Sequence, residues 1–473
     1  MSKKRNNKSP MAIRKMIVIV ILLSHILIFN SPLLAQNNGL SLSKAVNQAL
    51  KNDPWLVGNS FTQDSVDAMS VAVGTLPDPK VSLSFANFPT DTFNFGQEAM
   101  TQLKIGVSQM FPRGHSLAIK RKQLELKSSQ FPFQRQDRKA QIKVTVSQLW
   151  LDAYKAQMCI ALIEKDRALF EQLADVAQAS YSSALGRTRQ QDIIRAQLEL
   201  TRLDDRLTML KQKQEMSINQ LSRWLSNYFL EDYSDEYANN YSLTMKNITL
   251  DTKFPEIDLI NAFLYKANDN TSTDEIFEYL AAHPAVLAVK QKIAATDIGI
   301  DLAKQKYKPA WGLSASYGFR GTSPSGIDRP DFLSLGVSFD VPLFTKNRQD
   351  KELQSAVAKS AAAQTQQWLL LRKFFSAFET AKAALLRLNE RQQLYQQQLL
   401  PQMHEQAEAA LTAYTNDDGD FAEVVRSRIA ELNARIDALT ISVDRQKTIA
   451  QLNYFFTTRN ERKMTGDSSQ GER

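Results

Sequence analysis

A chain of 473 residues, 43% hydrophobic and 23% charged, can hold two or more ordinary domains or one large repeated unit. Its formal charge of +8 sits at the start: residues 1–35 carry Lys3, Lys4, Arg5, Lys8, Arg14 and Lys15 and no acid, leaving 52 basic against 50 acidic groups beyond them. That near-neutral remainder gives no electrostatic case for nucleic-acid binding, and the lone Cys159 rules out an intramolecular disulfide or a cysteine metal cluster.

Behind the basic start, Met16–Phe29 is an apolar run followed by Ser-Pro-Leu-Leu-Ala-Gln, the pattern of a secretory signal cleaved after Ala35. The run is shorter than the roughly 20 residues a spanning helix needs, so a retained anchor is the weaker alternative. No cysteine follows it to carry a lipid. A short amphipathic helix from Leu42 stops before Pro54, and a second is expected from about Trp55 to Gly74.

A hairpin comes next. Val81, Leu83 and Phe85 alternate with Ser82, Ser84 and Ala86; after a loop near 87–100, Leu103, Ile105 and Val107 alternate with Lys104, Gly106 and Ser108. Period-two alternation marks strands with two different environments. Beyond Gly114 the period changes: Ile142, Val146, Leu149, Ala153, Ala156, Ile160 and Ile163, then Ile193, Ala196, Leu200, Leu203, Leu207 and Leu210, recur at the three-and-four spacing of a coiled-coil seam. Gly186 breaks the two helices, and Pro132 is the expected interruption within the first.

The plan then repeats. Pro54 and Pro284, Pro79 and Pro309, and Pro112 and Pro342 are each 230 residues apart, which argues for internal duplication. In the second hairpin Trp311, Leu313, Ala315, Tyr317 and Phe319 oppose Gly312, Ser314, Ser316 and Gly318. Leu333, Leu335, Val337, Phe339 and Val341 oppose Ser334, Gly336, Ser338 and Asp340. The second seams run from Phe374 to Leu399, with Pro401 expected to kink that helix, and from Ile429 to Val443; the break lies at 414–420.

The chain thus divides into a signal peptide (1–35), a first structural repeat (36–226, strands about 80–88 and 101–111, long helices 114–226), an irregular insert (227–273), a second structural repeat (274–456, strands about 310–319 and 332–341, long helices 345–456) and a disordered polar tail (457–473). Ser272-Thr-Asp-Glu275 reads as a capping box opening the second repeat.

The strands run to about 9–11 residues, the span of a tilted membrane strand. A soluble hairpin with one face on a core fits the same alternation. If the strands are in lipid, four cannot close a barrel, and open edges are not tolerated there, so several copies must combine; three give twelve strands. The expected fold is mainly α with transmembrane β: a duplicated helix–hairpin–helix, with a long coiled-coil α-barrel below a shared β-barrel.

The chain resembles the TolC-like outer-membrane efflux proteins. The resemblance rests on Leu-Ser-Leu-Ser-Lys-Ala-Val-Asn-Gln-Ala-Leu-Lys-Asn-Asp-Pro near the start, Val-Pro-Leu-Phe after the second hairpin, and Gly-Arg-Thr-Arg-Gln-Gln-Asp-Ile-Ile-Arg-Ala-Gln-Leu-Glu-Leu after the first break. It implies a homotrimer with a twelve-stranded barrel in the outer membrane of a Gram-negative bacterium and an α-barrel in the periplasm. It also implies a periplasmic adaptor (membrane fusion) protein and an inner-membrane pump of the RND type. Leu-Pro-Asp-Pro-Lys, Gln-Met-Phe-Pro-Arg-Gly and Gln-Gln-Asp-Ile-Ile-Arg-Ala-Gln are similar to the heavy-metal cation branch, CusC- and CzcC-like.

In that family the helix breaks form the periplasmic tip, where the adaptor docks and the channel narrows. Gly186, Arg187 and Thr188 match the first turn, and Gly419 and Asp420 the second. Asp417, Asp418, Asp420 and Glu423 would form an acidic ring at the aperture in three copies; an ordinary solvated turn accounts for the same residues. Arg426 stands where the family often has a second acid. No phosphate loop, nucleophile elbow or acid pair stands out, so neither an enzyme nor a cofactor is expected, and energy must come from a partner. His25, His115, His283 and His404 lack ligand spacing, and Met100 and Met110 read as apolar packing. A type I protein-secretion conduit and a soluble periplasmic coiled-coil scaffold are the alternatives.

Overall fold

The computed structural model describes residues 39–182, 189–226, 248–260, 273–416 and 419–457. The signal, the first break with Gly186, Arg187 and Thr188, Asp417 and Asp418, Ser272 of the capping box and the tail beyond residue 457 lie outside the described residues.

The first described helices are α1 (Leu42–Asn52) and α2 (Pro54–Val73), followed by β1 (Lys80–Ala86) and β2 (Gln102–Phe111). Then come α3 (Ser116–Ser128), α4 (Gln130–Ser182) and α5 (Gln190–Leu225). The second repeat follows the same order: α6 (Thr273–Ala281), α7 (Pro284–Gln305), β3 (Trp311–Phe319), β4 (Phe332–Phe339), α8 (Gln349–Leu394), α9 (Leu400–Thr415) and α10 (Phe421–Tyr454). At 53 residues, α4 alone is about 80 Å long.

Prolines set the boundaries as their chemistry requires. Pro54 and Pro284 each occupy the first turn of a helix, where a missing N–H costs nothing. Pro132 does not interrupt a helix. The break falls at Ser129, which places Pro132 in the first turn of α4. Before Pro401 the helix widens into one π turn, Tyr395–Leu399, with the Leu400 N–H donating to the Tyr395 carbonyl five residues back.

The four strands form one antiparallel sheet in the order β1-β2-β3-β4. β2 and β3 join the two hairpins, so both repeats contribute to a continuous sheet with β1 and β4 at its edges. The register gathers most of the large apolar residues on one side: Val81, Val107, Ala315 and Leu335 form one row, and Leu83, Ile105, Tyr317 and Leu333 the next. The opposite side carries Ser82, Gly106, Ser316 and Ser334 in one row and Ser108, Ser314 and Gly336 in another.

The helices hold three apolar cores. In the first repeat, α1, α4 and α5 bury Ala45, Ala49, Trp150, Leu151, Tyr154 and Leu221. In the second, α6, α7, α8 and the end of α10 bury Leu280, Val286, Phe374, Phe378 and Leu452. The third lies toward the helix breaks, where α4, α5 and α10 share Ile163, Phe170, Ile193, Leu203, Phe421 and Val424. Cys159 belongs to this core, and burial pushes its thiol pKa up.

Candidate functional site: the sheet and the helix breaks

Much of the apolar face of the sheet is open to solvent in the single chain. Val81 is 72% exposed, Leu333 72% and Leu335 78%, values foreign to a soluble core face. Aromatic residues mark both ends of this band. At one end Trp311 and Phe339 pair with centroids 5.2 Å apart, in register with Phe111. At the other, Phe85 meets Phe88 at 5.7 Å and Phe95 stacks on Phe319 at 6.2 Å. Trp311 and Phe319 are eight residues apart, about 26 Å along the strand. An apolar band of that height between two aromatic girdles has the dimensions of the lipid-facing surface of membrane β-barrels.

The other face is built small. A Cβ at Gly312 would come within 2.6 Å of Ser338 Oγ, one at Gly336 within 2.7 Å of Ser314 Oγ, and one at Gly106 within 2.9 Å of Ser82 Oγ. Serine faces glycine across the strands at Ser82 and Gly106, Ser314 and Gly336, and Ser338 and Gly312, so these three hydroxyls fit over missing side chains. The strand glycines Gly106, Gly312, Gly318 and Gly336 all lie on this side, the arrangement that suits a concave face with little room for side chains.

Where the sheet meets the helices, Arg113 forms a clamp. Its Nη1 donates to the Lys306 carbonyl at 2.7 Å and the Lys308 carbonyl at 3.1 Å, and its Nη2 pairs with Asp340. Asp340 also accepts from the Ala310 N–H at 2.6 Å. One guanidinium thus ties the end of β2 to the end of α7 and the exit of β4.

At the far end of the helices, Gly419 and Asp420 form the turn into α10. A Cβ on Gly419 would lie 2.5 Å from the Tyr414 nitrogen and 2.8 Å from the Ala413 carbonyl carbon, so backbone meets backbone there. Asp420 is the N-cap: its carboxylate accepts from the Ala422 N–H at 3.2 Å. Glu423 in the first turn pairs with Arg426 at 2.5 Å, both exposed. Tyr414 packs edge-on against Phe421 at 5.6 Å and closes the turn. On the other side, the Arg189 N–H donates to Asp192 Oδ2 at 3.0 Å to start α5.

A cluster absent from the sequence reading lies behind this turn. Glu431 on α10 is buried. It accepts from His404 Nδ1 on α9 at 2.9 Å, from Arg428 Nη1 at 3.1 Å and from Arg435. Arg428 reaches back to Glu408 at 2.7 Å, and Arg435 approaches Asp166 of α4 at 3.6 Å. Burial alone would raise the Glu431 pKa, but His404, Arg428 and Arg435 outweigh it and hold the carboxyl below its ordinary value. The only signal in the sequence was the spacing of residues 428, 431 and 435, which puts all three on one helix face. Among the described residues no group of His, Cys, Asp and Glu could hold a metal ion. No described helix is long and apolar enough to cross a membrane.

Residues 276–454, which span most of the second repeat, match the model of the family described as outer membrane efflux protein. The chain's fold is that of solved outer-membrane channels. OprN is 14% identical with a TM-score of 0.69, covering 88% of this chain and 89% of that one. CusC is 13% identical with a TM-score of 0.67, covering 89% and 92%. CmeC of Campylobacter jejuni is 13% identical with a TM-score of 0.69, covering 92% and 89%. No curated protein matches the chain in sequence. The likeness to these channels is one of fold, and it covers both the sheet and the long helices.

Proposed function

We propose that this protein is the outer-membrane channel of a tripartite efflux system, carrying small solutes from the periplasm to the exterior. Three copies would join β4 of one to β1 of the next and close a twelve-stranded barrel in the outer membrane of a Gram-negative bacterium. The long helices would continue as a hollow bundle into the periplasm. The turns at Gly186, Arg187 and Thr188 and at Gly419 and Asp420 would meet a periplasmic adaptor, itself bound to an inner-membrane pump, of RND type on the family resemblance.

The single observation that supports this reading is the sheet: an apolar face exposed to more than 60% at Val81, Leu83 and Phe85, a crowded serine–glycine face, and two unpaired edges. Unpaired edges in lipid are too costly to persist, so the sheet needs further copies of itself. Heavy-metal cations are the narrower cargo to which the branch resemblance points.

Fractionation and cross-linking test the architecture. The protein should stay with the outer membrane, require detergent, and cross-link as a trimer through cysteines placed on β1 and β4. A monomer released with the periplasm would favour the soluble scaffold instead. Deleting the gene and screening survival on metals, dyes and antibiotics tests the cargo.

A further inference from the structure

The concave face of the sheet carries two charged residues and both are lysines. Its positions, read from the register, are Lys80, Ser82, Ser84 and Ala86 on β1; Gln102, Lys104, Gly106, Ser108 and Met110 on β2; Gly312, Ser314, Ser316 and Gly318 on β3; and Phe332, Ser334, Gly336 and Ser338 on β4. No carboxylate shares this face within the four strands. Lys104 is half-buried in the row of Ser84, Gly318 and Phe332, and Lys80 is exposed in the row of Ser108 and Ser314. Neither ammonium has an ion-pair partner among the described residues, whereas Asp340, just past β4, is taken by Arg113. The two rows lie four residues apart, about 13 Å along the strands.

We propose that Lys104, with Lys80 behind it, forms a cationic belt inside the barrel that makes the exit favour anionic solutes over cations. The proposal rests on the trimeric-barrel reading, in which three copies place six ammonium groups in two rings. Twelve strands at about 4.8 Å spacing, tilted as barrel strands are, enclose a backbone ring roughly 25 Å across, which the lysine arms narrow further. The Debye length is about 10 Å at 0.1 M salt, so the axis of such a pore feels the rings. The surrounding serines and glycines bring no opposing charge. The loops beyond this end of the sheet do: Asp91, Glu98, Asp328 and Asp331 stand against Arg320 and Arg329. The share of the belt is therefore read from the change on substitution, not from the net preference of the pore. A belt of this sign opposes the passage of metal cations, so it speaks against the heavy-metal cargo of the branch resemblance and for acidic or neutral amphiphiles within the same channel reading.

The test is the reversal potential of the full-length protein in planar bilayers under a KCl gradient from 10 to 100 mM. Wild type, Lys104→Arg, Lys104→Gln, Lys104→Glu and Lys80→Gln are compared after each is checked for wild-type trimer on a gel. The chloride-to-potassium permeability ratio should fall about two- to fivefold in Lys104→Gln. It should fall further in Lys104→Glu and hold in Lys104→Arg. Lys80→Gln should move it in the same direction and serves alone if the Lys104 variants fail to assemble. Equal ratios across the assembled variants overturn the belt while leaving the channel intact. A wild type that inserts and conducts nothing overturns the channel reading and the belt with it.

Discussion

Asp53 and His283 occupy the same place in the two repeats, and each caps a helix whose next residue is proline. Asp53 is held by Arg138 at 2.8 and 3.1 Å, and that guanidinium lies over the rings of Trp55 and Trp224. His283 is fully buried between Phe374 at 4.8 Å and Tyr454 at 4.7 Å. Its Nδ1 accepts from the Ala285 N–H at 3.2 Å, so the proton sits on Nε2, which donates to the Tyr454 carbonyl at 3.0 Å. Duplication preserved the cap and exchanged its chemistry: an ion pair in one repeat, a neutral ring among aromatics in the other.

That exchange makes the second repeat sensitive to acid. Burial lowers the His283 pKa from 6.5 to about 4, with the bond to the Tyr454 carbonyl opposing the shift. An unfolded chain takes up this proton below pH 6.5 and the folded one does not. The stabilisation is complete above pH 6.5 and drains between 6.5 and about 4, by up to about 3 kcal/mol. Hydrogen exchange across residues 280–290 should therefore accelerate from pH 7 to pH 5, after correction for the intrinsic rate. His283→Asn keeps an acceptor for the cap and should flatten this dependence, at the cost of lower protection at pH 7 from lost ring packing.

Glu431 works the same way in a lower range. Its folded pKa lies below the ordinary 4.5, so its contribution is present above that value and is lost as the pH falls through the lowered one. Glu431→Gln removes the charge that Arg428 and Arg435 share, leaving the largely buried Arg428 with Glu408 alone on the carboxylate side. A loss of about 2–3 kcal/mol is expected, read as a lower urea midpoint for the tip region at pH 7. The variant should also lose the acid dependence below pH 4.5.

The strands were legible in the sequence because Leu83, Ile105, Tyr317 and Leu333 obey a period of two with small residues between, and their cross-strand rows follow from that. The helical seams were legible for the same reason at 3.5. Trp150, Leu151 and Tyr154 were not, because they leave the seam to serve a second packing surface against α1 and the residues near Leu250. Trp150 Nε1 even donates to the Leu40 carbonyl at 2.8 Å, a contact between segments 110 residues apart. Arg113 and Asp340 were illegible on the same ground: no local period reports a pair separated by 227 positions. The acidic turn was visible by composition alone, which did not reveal that Asp420 is occupied in capping and Glu423 in pairing with Arg426.

Gly419→Ala should open the second turn. The added Cβ would strike the backbone of Ala413 and Tyr414 at 2.5–2.9 Å, and no rotamer can relieve a backbone contact. The end of α9 must move away from the start of α10, breaking the Tyr414–Phe421 contact. Limited proteolysis should show faster cleavage near residues 413–421, while the detergent-solubilised assembly keeps its mass because the sheet is remote from the change. Cells carrying the variant should become more sensitive to large antibiotics if the turn narrows the aperture, and unchanged if it does not.

Asp420 separates charge from structure at the proposed acidic ring. Asn caps a helix as well as Asp, so Asp420→Asn removes one charge per chain, three in the proposed trimer, while keeping the bond to Ala422. Asp420→Ala loses both, at about 1 kcal/mol for the missing cap. Were the turn merely solvated, only the alanine variant would matter, and it would act through stability. Were the carboxylates a ring at the aperture, Asp420→Asn would lower the cation preference of the pore by itself, and adding Asp417→Asn and Asp418→Asn would lower it further. Glu423→Gln should then contribute least, because Arg426 already lies 2.5 Å from its carboxylate. Permeability ratios at 10 mM and 1 M KCl decide between the two, since a ring effect fades as the Debye length shrinks from about 30 to 3 Å and a stability effect does not.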